Sequence, residues 1–425
     1  KIIMMCLLMF VFSSCSKDST PSDDESNRII DNEDSDFDSD SDSTLLVDTD
    51  TMDDKCTIIE DIWEISEKTV FKKHNSQGPD YCIKNDLEFM EDLTIEPGVI
   101  VQFAPDVELK ISAYGGSIHV NGTEENPIIF KGETDIPGSL KGINIESPDL
   151  TNIISHANIE HAGANKGSII ITNNAASTGI ISLKHVNIEN GASAGIWADD
   201  FDCDSKFINE MEDVTMSNLA GAPVEIPISG IGQLDPDSSY NNSNSIDAIV
   251  VSPNSIITSE ICIPAGAVWK KINDGTQYIV HHESAIQCGM TIEKGVEISF
   301  ESDAALSVEE DGYLEAIGTQ SDPIVFTGTF QDAPSWRGIM FQSISFQNKI
   351  DYAQISYCGS SNLDSIFFKS ITCIGLDNQI SPGARLTITN STISNSGGNG
   401  IETSTGSTLT QSDNVFENIA GDDII

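Results

Sequence analysis

The densest group of chemically capable side chains in the chain follows Trp197, where Asp199, Asp200, Asp202 and Asp204 crowd one short stretch. Carboxylates so close together are the hard oxygen donors that calcium takes. An indole offered to solvent stacks on the apolar face of a sugar ring, so Trp197 is the natural ligand contact beside such an ion. The stretch lacks the glycine and the distal glutamate of an EF-hand loop, and a solvated acidic turn is the competing reading.

The histidines, His74, His119, His156, His161, His185, His281 and His282, stand in no zinc-protease spacing or other tight metal-ligand spacing. His156 and His161 flank one expected strand. In the repeat set out below their equivalents are Tyr352 and Tyr357, which favours a ring on the wall of the fold over a metal ligand. No residue is assigned a catalytic role.

The elements that hold these groups follow from composition. Ile, Val, Thr, Ser, Asn and Gly dominate, which suits short strands joined by turns and leaves little room for α-helix. The formal net charge is -46 with only 21 basic residues, so DNA, RNA and anionic lipid surfaces are repelled.

The N-terminal stretch has its own chemistry. Lys1 precedes an apolar run from Ile2 to Phe12, then Ser13, Ser14 and Cys15. The run is too short to cross a bilayer and reads as a signal peptide. Phe12-Ser13-Ser14-Cys15 resembles a bacterial lipobox, with Phe12 in place of the usual Leu. That resemblance implies diacylation of Cys15 over residues 1–15, and two acyl chains anchor stably to a membrane. Residues 16–55 are an acidic, Ser-rich linker with almost no aromatics, a composition that does not fold and that self-repulsion extends. Its Ser16-Lys17-Asp18 start and acidic Asp23-Asp24-Glu25 resemble the tether that directs lipoproteins of Bacteroidota to the outer face of the outer membrane.

Beyond Cys56 the decisive feature is an internal duplication at an offset of roughly 196 residues. Val70, Phe71, Lys72 and Lys73 match Val268, Trp269, Lys270 and Lys271. Gly122, Thr123, Pro127, Ile128, Phe130 and Gly132 match Gly318, Thr319, Pro323, Ile324, Phe326 and Gly328. Asn152, Ala157, Ile159 and Gly163 match Asn348, Ala353, Ile355 and Gly359. Residues 56–260 hold the first copy and a connecting coil, and residues 261–425 the second copy.

Within each copy, short alternating strands recur between turns of Gly, Asn, Asp and Pro, with no segment suited to a crossover helix. Parallel strands without crossover helices must coil directly, which predicts an all-β parallel β-helix with rungs of about 20 to 26 residues. A β-sandwich is the alternative. Cys56/Cys82 and Cys262/Cys288 are equally spaced but out of register between the copies, so the equality reads as coincidence. Removing Cys6 and Cys15 from the nine cysteines leaves an odd number, so at least one stays unpaired. Trp269 and Trp336 read as core, and Trp63 as a cover for the open end.

The runs Leu93-Thr-Ile-Glu-Pro-Gly98, Gly318-Thr-Gln-Ser-Asp-Pro-Ile-Val-Phe-Thr-Gly328 and Trp336-Arg-Gly-Ile339 resemble the right-handed parallel β-helix repeat lipoproteins of Bacteroidota, in the pectate-lyase-like superfamily. The resemblance covers residues 67–425 and implies a fold, not a reaction. Lyases of that superfamily set a basic residue beside calcium-binding carboxylates. Here the arginines are Arg28, Arg337 and Arg385, and Lys141 replaces Arg337 in the first copy. Polygalacturonase-like hydrolases are matched only at Asp199-Asp200. The sequence therefore predicts a non-catalytic surface module that binds polysaccharide or another surface protein. A lyase or hydrolase, and a purely structural envelope protein, are the alternatives.

Overall fold

The structure, a computed structural model, describes residues 56–173, 177–199, 206–251, 267–331, 334–363, 370–377 and 383–425. All lie within one compact unit, Ser43–Ile425. The signal segment with Cys15, the acidic linker, and Asp200, Asp202 and Asp204 lie outside the described residues.

The ladders between strands are parallel, and successive strands pair one coil apart, as a parallel β-helix requires. The only helix among the described residues is a 3₁₀ segment, Ile228–Gln233, in the connecting coil. One coil takes from 20 residues, as between Cys82 and Gln102, to 38, as between Gln354 and Thr392. That is longer than the expected rung, because insertions are absorbed at the corners while the strands keep their register.

Alternation sets the core. Leu109, Ile143, Ile169, Ile196, Val224, Ile249 and Tyr278 are registered neighbours in consecutive strands and are all buried. Burying each such aliphatic side chain contributes roughly 1.5–3 kcal/mol. A stack of this kind stabilises the coil without any crossover helix.

One fourteen-stranded sheet runs from Glu64–Ile65 to Val415–Glu417 through both copies, so the two repeats form a single solenoid. The sheet does not join equivalent strands. In the first copy it takes Gly142–Ile145, but in the second it takes Ile324–Gly328, the equivalent of Ile128–Gly132. Gly338–Phe341, the true counterpart of Gly142–Ile145, belongs to a separate five-stranded sheet. The second copy is therefore turned by one face relative to the first.

A polar corner is repeated with the fold. Asn152 is buried; its Oδ1 accepts from Ile118 N–H at 2.9 Å, and its Nδ2 donates to Ser147 O at 3.2 Å and Ile180 O at 3.0 Å. Asn348 repeats this with Leu314 N–H at 3.0 Å and Ser343 O at 3.2 Å. Ser147 and Ser343 donate in turn to Gly116 O and Gly312 O. Buried main-chain groups at a corner have no ladder partner, and these side chains supply one.

Trp269 and Trp336 are core residues, Trp336 stacking on Phe300 at 4.1 Å between centroids. Trp63, expected to cover the open end, is 64% exposed. Cys203 and Cys262 lie outside the described residues, and with them the expected unpaired cysteine and the pair Cys262/Cys288. Cys56 and Cys82 form a disulfide, Cys358 and Cys373 form another, and Cys288 is disulfide-bonded as well. Cys56 and Cys82 meet because residues about one coil apart become neighbours: Thr57 pairs with Tyr81 and Ile58 with Cys82.

Candidate functional site

Three consecutive coils bend at stacked corners where the backbone enters the left-handed region. His156, His185 and Asp213 have φ of 49°, 52° and 50°, inside the strands Ile153–Glu160, Ile181–Glu189 and Ile208–Ser217. Five residues on, His161, Asn190 and Asn218 make the next corner with φ of 59°, 56° and 53°. Asn, Asp and His tolerate this conformation better than other non-glycine residues, which explains their recurrence here. Between the two corners, two inward side chains such as Val186 and Ile188 fix the segment in the core, and outward ones such as Asn187 face solvent.

The first corner opens into a groove of 550 Å³ lined by Thr123, Glu124, Pro127, Asn158 and Asn187 together with His156, His185 and Asp213. The imidazoles of His156 and His185 stack obliquely, 4.5 Å between centroids. His185 Nδ1 lies 3.1 Å from Asp213 Oδ2, and His156 Nδ1 lies 2.9 Å from Ser155 Oγ. Asn187 Nδ2 donates to Asn158 Oδ1 at 3.1 Å, forming a short amide ladder along the floor. The groove thus offers two ring faces, carboxylates and amides over three coils.

The second copy keeps the shape and changes the chemistry. A groove of 360 Å³ is lined by Thr319, Gln320, Pro323, Tyr352, Gln354, Asn390, Thr392 and Asp413. Threonine, proline and the last aspartate are retained. Glu124 becomes Gln320, His156 becomes Tyr352, His185 becomes Asn390 and Asn158 becomes Gln354. Tyr352, Asn390 and Asp413 hold the same left-handed corner, with φ of 49°, 49° and 56°.

Beside the first groove, outward positions of the same sheet align Lys131, Glu160 and Glu189 across three coils. Burial pushes the Glu160 carboxyl above its ordinary range, and the neighbouring Glu189 charge adds to this.

Trp197 lies elsewhere, on the fourteen-stranded sheet between Ile170 and Glu225. It is half-buried, and Lys166 Nζ sits 3.7 Å from the centre of its ring, a cation–π contact that covers one face of the indole. Asp199, the member of the aspartate group within the described residues, follows it and donates its N–H to Ile171 O at 3.0 Å. Among the described residues no group of three His, Cys, Asp or Glu side chains is arranged to hold a metal ion. Arg337 is occupied structurally: Nη1 is 2.8 Å from Glu283, and Nε and Nη2 donate to the carbonyls of Asn362 and Leu363.

The structure therefore joins His156 to His185 and Asp213, a grouping the sequence reading missed. The signal was present as a five-residue spacing, His156/His161, His185/Asn190, Asp213/Asn218, Tyr352/Tyr357, Asn390/Asn395 and Asp413/Asn418. Comparison of the chain with protein-family profiles, curated proteins and solved structures found no match.

Proposed function

We propose that the chain is a surface-displayed, non-catalytic module, lipid-anchored to the outer membrane through Cys15, that binds polysaccharide at the corner groove of the first copy. The observation that carries this reading is the row His156, His185, Asp213 above the Asn158–Asn187 amide ladder. Ring faces over a floor of amides and carboxylates match a sugar, which has an apolar face and a rim of hydroxyls. A site that reads a linear polymer is also suited by a solenoid, which repeats its outward positions coil after coil.

Preservation of the groove in the second copy, without either histidine, supports a binding role in which shape and hydrogen bonding matter more than acid–base chemistry. The histidine–carboxylate contact, 3.1 Å between His185 Nδ1 and Asp213 Oδ2, favours one alternative, a lyase or hydrolase with His185 as base. Incubating the chain with a panel of uronate and neutral polysaccharides separates the two. Retention on a polysaccharide without new reducing ends or unsaturated products supports the binding module. Turnover abolished by His185→Asn establishes the enzyme instead.

A further inference from the structure

The second groove does not merely echo the first. Tyr352 places a phenol ring at φ 49°, a conformation in which a bulky side chain is strained by about 1 kcal/mol or more. Asn390, one coil later, meets the same backbone demand with a residue that tolerates it. Tyr357, five residues on, holds φ 60° outside the groove, so the task of the ring at Tyr352 follows from the groove that it lines and not from strain alone. The surroundings say what it faces. Asn390 Nδ2 donates to Asp351 Oδ1 at 2.9 Å, and Thr389 Oγ1 donates to the same oxygen at 2.8 Å, fixing the amide beside Tyr352. Among the described residues lining the groove none is basic, and Asp413 is the one carboxylate; the others present amides, hydroxyls and proline. An acidic sugar would bring a charge there with no cation to meet it, at a desolvation cost.

We infer that the groove at Tyr352 is a second glycan site, specific for an uncharged sugar that stacks on the phenol ring, so that one chain holds two glycan strands at once. This rests on the glycan-binding reading of the first groove. The two sites are well separated. Seven strand-to-strand steps of the long sheet lie between Gly167–Ile171, the strand after His156, and Ala353–Ser356, the strand after Tyr352. At roughly 4.8 Å per step this is about 34 Å along the solenoid. The turn of one face between the copies also puts the two grooves on different sides. Two sites so placed bridge separate strands and raise avidity for a polysaccharide network.

Isothermal titration of the whole chain with β-linked hexasaccharides of glucose, mannose, xylose and galacturonate tests this. Tyr352→Asn and His156→Asn are chosen because asparagine already occupies the same corner at Asn390 and keeps the backbone unstrained. The expected result is two sites per chain for at least one neutral hexasaccharide, and one site in each variant, with affinity at the altered groove lowered at least tenfold. Tyr352→Phe retains both sites, because the ring is kept. One site in the wild type, unaffected by Tyr352→Asn and lost in His156→Asn, overturns the second site and leaves the first. Galacturonate binding lost in Tyr352→Asn overturns the assignment to an uncharged sugar. No binding of any probe by the wild type overturns the glycan reading itself.

Discussion

Replacing Asn152 by alanine removes three hydrogen bonds from a fully buried corner. Ile118 N–H loses its acceptor, and Ser147 O and Ile180 O lose a donor. At about 1 kcal/mol for each bond, with the penalty for orphaned buried groups acting in the same direction, the loss is about 3 kcal/mol. Asn348→Ala removes two bonds, to Leu314 N–H and Ser343 O, and costs about 2 kcal/mol on the same arithmetic. Asn152→Asp is the internal control. Its second oxygen faces two carbonyls and repels them when ionised, whereas a protonated carboxyl donates to one of them. The variant is therefore weakest at neutral pH and recovers as pH falls. Solenoid stability is a sum of local terms, so the readout is urea denaturation combined with amide exchange followed coil by coil. Protection is expected to fall at Ile118 and in the adjoining coils in the first variant, and at Leu314 in the second. A loss below about 0.5 kcal/mol for Asn152→Ala, with exchange at Ile118 unchanged, would refute the corner as a stabilising device.

Tyr352→Asn relieves left-handed strain and is expected to raise stability by about 1 kcal/mol, read as a higher urea midpoint; a lower midpoint would show that the ring is a packing element. Glu160 carries a raised carboxyl pKa in the fold, so the folded state binds the extra proton. Its effect is destabilising above the folded pKa and is relieved as pH falls through it toward the unfolded value. Glu160→Gln should accordingly gain about 0.5 kcal/mol at pH 7 and nothing at pH 3, a difference that paired thermal melts would detect. Reducing the Cys56–Cys82 bridge, which closes a separation of 26 residues, should cost about 3 kcal/mol in the coils it spans, measured by exchange with and without reductant. Lys166→Ala uncovers one face of Trp197 and should increase its quenching by acrylamide; no change would mean that the other face alone is open to solvent.

The fold was legible because alternation and register carry the same message. Inward residues such as Ile143 and Ile339 mark strands, and the absence of any crossover helix leaves coiling as the way to stack them in parallel. The duplication was equally plain from Asn152 and Asn348, whose roles the structure repeats. What the sequence concealed was the turn of one face between the copies. That rotation falls across the stretch joining the copies, where the 3₁₀ segment Ile228–Gln233 interrupts the strand pattern and gives no periodic signal of it. The disulfide was hidden by measuring Cys56 and Cys82 against the duplication instead of against the length of one coil. The groove was hidden for a related reason. His156, His185 and Asp213 are 28 or 29 residues apart in sequence and become neighbours only when coils of that length stack in register. Trp197, in contrast, stood out as a lone indole next to acids, although Lys166, which covers it, lies one coil earlier.

The most direct test of the account is a glycan-array measurement on wild type, on His156→Asn combined with His185→Asn, and on Trp197→Ala, each with calcium and with chelator. Expected are binding by the wild type, a loss of at least tenfold at the first groove in the double histidine variant with any remaining binding removed by adding Tyr352→Asn, and little change in Trp197→Ala or with chelator. Binding that survives these changes but disappears with chelator or in Trp197→Ala would contradict the account and return the site to the acidic stretch after Trp197.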